Sequence, residues 1–279
     1  MTALSRQLSA AGRLDFGEVT RSRWLPFATI VYALLAGALL FAGMRTSEIL
    51  GFTGMSRVLL SLTHVLLVVL PLLALAGTTQ VVPRAREDGT LELLFSHPLS
   101  RSGYLIAVTL TRFLVLAVPL LVLLFAMALG ARAFGESVPW AMLGRSGIVS
   151  VALLWAFTGV GIAVSTGTRN QAKAIVYALV IWALTVALLD LGIIGLLLQW
   201  KLEPRAVFVL AALNPVEDAR LALLSGIEPS LATLGPVGFF LVHRLGGAAM
   251  FAIGVLWPVA VGTGAWLWAL LRFRRGDVL

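Results

Sequence analysis

Between Trp24 and Leu271 the chain is written in apolar runs long enough to cross a bilayer, and that pattern leaves few folds open. The runs cover residues 24–43, 58–82, 104–131, 147–166, 174–200 and 247–271. Each holds about 20 residues or more, the length that spans a hydrocarbon core of about 30 Å at about 1.5 Å per residue. Backbone groups in lipid must find partners within the protein, so segments of this kind are helices. The expected fold is an all-α membrane protein with six transmembrane helices. Composition agrees, because 59% of the residues are hydrophobic and only 12% charged, where a soluble domain carries about a quarter charged.

The connections supply the domain plan. Residues 1–23 alternate Leu4, Leu8, Ala11, Leu14 and Val19 with Arg6, Arg13, Asp15, Glu18 and Arg21, the pattern of a cytoplasmic amphipathic helix lying on the membrane. A solvated helix or frayed tail is the alternative. No small-residue cleavage pattern closes a short apolar core here, so the segment does not read as a signal peptide. Residues 24–279 form the transmembrane domain, with a polar cytoplasmic segment at 83–103 and a long connection at 201–245. That connection holds apolar stretches at 206–213 and 231–242, too short to cross, which predict interfacial or re-entrant helices in an extracytoplasmic helical region. Within it Asn214 is placed as an N-cap, Pro215 as the first helical residue, and Glu217 and Asp218 in the first turn, where the helix dipole favours anions. Lysines and arginines number about 12 in the termini and the loops after spans two and four, against about 8 in the loops opposite. Both termini are therefore expected in the cytoplasm of a multi-pass bacterial inner membrane protein.

Catalytic chemistry has little to stand on. The net charge of +8 fits arginines beside apolar spans rather than nucleic-acid binding, since no basic patch is interleaved with stacking aromatics. The absence of cysteine removes disulfides, thiolate metal sites and thiol nucleophiles. His64, His97 and His243 are unpaired at metal-binding spacing, and a lone membrane histidine more often satisfies a backbone carbonyl. There is no Gly-x-Ser-x-Gly elbow and no glycine-rich phosphate loop, so neither acyl transfer nor ATP binding by that route is expected. No cofactor or metal is assigned to the chain. Asp190 is the one acid inside a predicted span, a functional candidate by cost alone, unless it reaches polar groups near the outer surface. Arg112 can pair inside the bundle or snorkel to the headgroups, and snorkelling is the preferred reading.

The most informative polar stretch runs from Arg86 to Arg101. Residues 90–95 predict a short helix whose Leu91, Leu94 and Phe95 share a face, ended by Pro98. Such a helix, flanked by Glu87, Asp88, Glu92 and Arg101, is a docking peg for a soluble partner or a helix resting on lipid. The stretch Glu87-Asp-Gly-Thr-Leu-Glu-Leu-Leu-Phe-Ser-His-Pro-Leu-Ser-Arg101 resembles the coupling-helix segment of export-type (type-2) ATP-binding cassette permeases. The order of elements around it resembles them too. Within that class the sequence looks most like permeases of the copper-site maturation system of nitrous-oxide reductase, through Leu50-Gly51-Phe52-Thr53, Asp190, Leu213-Asn214-Pro215, Arg220-Leu221 and Ser225-Gly226.

The resemblance implies a non-enzymatic permease homodimer in membrane lipid, with ATP and Mg on separate cytoplasmic ATPase subunits and a periplasmic β-helical accessory protein. It implies a role in supplying sulfur or serving copper-site assembly. Leu91, Leu94 and Phe95 are then expected to fill a groove on the ATPase, with Glu87, Asp88, Glu92 and Arg101 at its rim. The region holding Asn214, Pro215, Glu217, Asp218 and Arg220 is expected to bind the extracytoplasmic partner or gate the exit. Permeases that export drugs, lipids or polysaccharides share this architecture. An ATP-independent carrier or an intramembrane enzyme needs midplane polar groups or a catalytic constellation, and the spans offer few.

Overall fold

The computed structural model describes residues 17, 24–45, 54–96, 99–133, 135–188, 213–227 and 235–275, and every regular element among them is helical. In chain order these are α1 (Trp24–Arg45), α2 (Gly54–Thr78), α3 (Val81–Glu87), α4 (Thr90–Phe95), α5 (Arg101–Ala133) and α6 (Trp140–Gly167). Then come α7 (Gln171–Trp182), which runs into a π-helical turn (Ala183–Leu188), α8 (Pro215–Ile227) and α9 (Gly235–Arg275). Four stretches are long and apolar enough to cross a membrane: Val58–Glu87, Arg101–Ala133, Trp140–Gly167 and Gly246–Arg275. Trp24–Leu39 and Gln171–Val186 are apolar but shorter. Among the described residues, then, four of the six expected crossings reach full length. The amphipathic segment 1–23 (Gly17 apart), Leu50 to Thr53 and Asp190 lie outside the described residues.

Helix α6 is the hub. It packs against α2, α5, α8 and α9, and 67% of its most apolar stretch is buried, against 22% for the crossing half of α9. The core joins Leu66 and Leu70 of α2, Leu116 and Leu120 of α5, and Leu153 and Phe157 of α6. In lipid no hydrophobic force drives helices together, so close van der Waals contact must hold them, and small residues allow it. Two glycines of α6 do this on different faces. A Cβ on Gly159 would run into the Gly262 carbonyl of α9, and one on Gly161 would run into the Thr78 hydroxyl.

Several hydroxyls inside the spans are satisfied locally. Thr63, Thr78 and Thr109 donate to the carbonyls of Leu59, Ala74 and Leu105 one turn back, at 2.6, 2.6 and 2.7 Å. His64 Nδ1 lies 2.9 Å from the Leu60 carbonyl, the role expected of a lone membrane histidine. Beside the interior proline Pro71, the Val68 carbonyl accepts from Trp182 Nε1 of α7 at 3.0 Å. The carbonyl that Pro71 itself leaves without its helical donor is that of Leu67, four residues back, so the tryptophan bond lies one residue beyond it. Arg112 is buried in the bundle, which corrects the expectation that it snorkels to the headgroups.

The boundaries shift where charge is a misleading guide to helix ends. Helix α6 begins seven residues before the expected 147, carrying Arg145 inside the helix with its guanidinium 5.0 Å over the Phe251 ring. The charged run after span two is helical rather than loop. Pro83 sits in the first turn of α3, where no backbone N–H is needed, and the Val82 N–H donates to Ser165 Oγ at 2.9 Å. Gly246, with φ 73° and ψ 158°, breaks α9 into a leading helix and a spanning one, within one residue of the expected start of span six.

Candidate functional site: the coupling end of the bundle

The ends of α3, α6 and α9 and the start of α5 meet at one face, and the segment Arg86 to Arg101 is built onto it. After α3 the chain turns through Gly89 at φ 69°, a left-handed conformation that glycine adopts without strain, and enters α4. Leu91 is only 1% exposed. It packs with Val82, Leu105, Val108, Ile162 and Ala269 in a second core cluster, against which Leu94 and Phe95 also rest. Phe95 stands edge-on to Tyr104 at 5.9 Å and 6.2 Å from Phe273, whose ring stacks on Tyr104 at 6.2 Å.

Leu91, Leu94 and Phe95 share a face, as expected; Leu91 is buried in the chain's own bundle and so is not open to a partner, while Leu94 and Phe95 rest against the bundle half-buried. The outward face carries Thr90, Glu92 and Leu93, the last 70% exposed. The apolar back of α4 thus rests on residues of α5, α6 and α9, with Leu93 on the side turned away from them.

Three of the four charged residues expected at a partner's rim, Glu87, Asp88 and Arg101, are engaged within the chain. Glu87 Oε1 accepts the Gln171 backbone N–H at 2.9 Å, an acid at the start of α7 where the helix dipole favours it. Gln171 Nε2 donates to Gln80 Oε1 at 2.8 Å. Arg84 and Asp88 form an exposed pair at 3.6 Å, worth under about 1 kcal/mol. Arg101 Nη1 reaches the Arg274 carbonyl at 3.5 Å, tying the start of α5 to the end of α9. Glu92 is exposed.

The second expected site, at Asn214 to Arg220, is an inserted plug more than a platform. Asn214 is 2% exposed; its Oδ1 caps α8 by accepting the Val216 N–H at 3.1 Å, and its Nδ2 donates to the Thr185 carbonyl of the π turn at 2.7 Å. Pro215 is buried as well. Ala222 and the backbone of Asp218 lie so close to Gly254 that a Cβ there would overlap both. Glu217 pairs with Arg220 at 3.2 Å on the more accessible side. Asp218 is 2% exposed and its Oδ2 has no hydrogen-bond partner. Burial pushes its carboxyl up to about 7. Its place in the first turn makes Asp218 read from sequence as a dipole partner, which misses this burial. Its spacing with Ala222 and Ser225, one helical face of small and polar residues, is the signal that points inward. Loss of the Asn214 cap in Asn214→Ala is expected to lower thermal stability by about 1–2 kcal/mol, read from unfolding of the detergent-solubilised protein, with the Thr185 carbonyl left without its donor.

Several apolar helices of membrane-crossing length, with a short helix packed across their ends, are the architecture of a multi-pass membrane protein. The chain belongs to the ABC-2 family of transporter proteins, whose model matches residues 12–278. It is similar to the probable ABC transporter permease protein NosY of Stutzerimonas stutzeri, with 31% identity over 251 residues, 88% of this chain and 89% of that one. The protein of the same description from Pseudomonas aeruginosa is 31% identical over 226 residues, covering 79% and 82%.

Proposed function

We propose that this permease is driven by an ATP-binding cassette ATPase on a separate chain that presses on the outer face of α4. The observation that carries the proposal is the division of labour within α4: Leu91 is buried in the bundle while Leu93, two residues on, is 70% exposed. Two states of the bundle are biased by one contact, and the apolar back of α4 transmits the bias. ATP and Mg reside on the partner. The permease works as a homodimer in the bacterial inner membrane, both termini in the cytoplasm, so that α4 faces the ATPase. Similarity to proteins described as NosY favours service in copper-site maturation of nitrous-oxide reductase, by supplying a sulfur species with a periplasmic β-helical accessory protein. In that arrangement the accessible edge of α8, at Glu217 and Arg220, is the extracytoplasmic contact, and Asp190 is the candidate intramembrane polar group.

Leu93→Asp is expected to lower ATPase co-purification and ATP-driven activity by about tenfold or more, since a central apolar anchor contributes about 2 kcal/mol. The variant should still fold, because Leu93 faces outward. Unchanged recruitment of the ATPase by Leu93→Asp in a folded permease would sink the proposal.

A second reading has its own support. A groove of about 910 Å³ between α5, α6 and α9, lined by Phe113, Leu124, Trp140, Val151, Trp155 and Val259 among others, is almost wholly apolar. It suits export of a drug, a lipid or a lipid-linked polysaccharide. Stimulation of the ATPase by such amphiphiles in reconstituted vesicles, with no effect on copper-site assembly in cells lacking the permease, would favour this reading over the first.

A further inference from the structure

The coupling end carries a concentration of positive charge that the coupling contact does not use. Arg86 rises from α3, Arg169 lies in the connection between α6 and α7, and Arg272 closes α9. Arg86 Nη1 donates to the Thr168 carbonyl at 3.1 Å, which fixes its guanidinium over the end of α6. Its Nε is buried without a hydrogen-bond partner. Arg169 and Arg272 are both near enough to oppose the Arg86 charge. Arg272 sits beside Gly167 and stacks its guanidinium 5.2 Å over the half-exposed Trp268 ring. Among the described residues no carboxylate pairs with any of the three; Glu87, the nearest in sequence, is spent on the Gln171 N–H, and Asp88 on Arg84.

Three guanidinium groups gathered with no carboxylate paired to them among the described residues repel one another, and an oxyanion seated between them relieves that repulsion. The arginines stand where spans α3, α6 and α9 end, at the depth of the lipid headgroups, next to an exposed tryptophan of the kind that settles at that interface. Guanidinium forks match phosphate oxygens, and basic pockets between spans on the cytoplasmic side are suited to anionic lipid. We propose that Arg86, Arg169 and Arg272 form a binding site for the phosphate of an anionic phospholipid, seated between the α6–α7 connection and the end of α9. The half-buried Arg86 and the exposed Arg169 and Arg272 supply guanidinium donors from their accessible edges, and Trp268 receives the start of the acyl chains. Because Arg86 is joined to the α6–α7 connection, and α3 leads directly into α4, an occupied site stiffens the base of α4.

The test uses the full chain, purified in detergent and delipidated, then titrated with short-chain phosphatidylglycerol or phosphatidylcholine and followed by native mass spectrometry and thermal unfolding. Wild type is expected to retain phosphatidylglycerol in preference to phosphatidylcholine and to gain thermal stability from it. Arg272→Gln, an exposed change that should leave the fold intact, is expected to weaken phosphatidylglycerol binding by about tenfold, the scale of one lost charge-assisted contact. Arg86→Gln should weaken it at least as much. Arg275→Gln, which removes the same charge from the exposed end of the same helix, should bind as wild type. Equal binding of the two lipids, or equal loss in Arg275→Gln and Arg272→Gln, would overturn the site in favour of diffuse surface charge. Equal protection by inorganic phosphate alone would overturn the lipid assignment and leave a free-anion site.

Discussion

Replacing Gly262 by valine is expected to lower the stability of the folded bundle by about 3 kcal/mol, the upper part of the range for overpacking a tight interface. The reason is geometric. A Cβ at Gly262 would lie 2.6 Å from the Trp155 carbonyl oxygen and 2.7 Å from Ala156 Cα, and these are backbone atoms that no rotamer change can move aside. The reciprocal position, Gly159, meets the Gly262 carbonyl. A branched side chain therefore has to push α9 off α6 along the crossing. Separation would also strain the hydrogen bond from Trp155 Nε1 to Thr263 Oγ1 at 3.0 Å. Because lipid competes equally well for apolar side chains, hydrophobic collapse cannot restore the close packing of the two helices once they part. Gly264 provides the internal comparison, for nothing lies within 4 Å of a Cβ placed there. Gly264→Ala should be neutral or slightly stabilising, since alanine is favoured over glycine in a helix interior by up to about 1 kcal/mol. Thermal or denaturant unfolding of both variants in one detergent checks the claim, and indistinguishable midpoints would refute the glycine seam.

Apolar run length is enough to read the membrane-embedded, all-helical class and the positions of most crossings, because a helix in lipid has no competing way to satisfy its backbone. The start of the last crossing is legible because Gly246-Gly247 comes just after Arg244-Leu245 and precedes a long apolar run. Asn214 followed by Pro215 announces its helix start by local chemistry alone. Periodicity groups Leu91, Leu94 and Phe95 correctly, yet it cannot say what covers a face. An apolar stripe that clamps a helix to its own bundle and one that awaits a partner have the same pattern. The decisive information sits far away in sequence, in Tyr104 and Phe273, which complete the aromatic cluster. Arg145 shows the opposite failure. A charge reads as the end of a helix, but stacking on Phe251 of another helix lets it stay inside one. The pairing of Gly159 with Gly262 has the same long-range character, since many glycines in the chain look alike until the crossing is known.

Asp218→Asn is expected to raise stability at pH 8 and to flatten its dependence on pH below that. Asp218 lies on α8, too short to cross the membrane, with Oδ2 buried and unbonded. Arg220 is committed to Glu217, and residues 247–260 of α9, which pack over this side of α8, carry no titratable side chain. Arg145 of α6 reaches α8 only at Gly226, two turns further on, and burial is the cause of the carboxyl's rise, so the neutral acid is the form the fold prefers. The carboxyl rises from 3.8 to about 7, so between those values the folded chain holds a proton that the unfolded chain has released. Stability from this group is thus fully present below about pH 4, declines as pH rises toward 7, and is level above that. The full drop is on the order of 4 kcal/mol. Asparagine cannot ionise and keeps nearly the same volume, so the variant should lose this slope and melt higher than wild type at pH 8. Unfolding midpoints of the two proteins across pH 4 to 8 decide the matter. Parallel curves would mean that Asp218 is ionised and solvated in the fold; curves that meet near pH 4 and part as pH rises toward 7 would mean that the bundle holds a neutral acid at the tip of α8, where Asn214 joins that helix to the π turn.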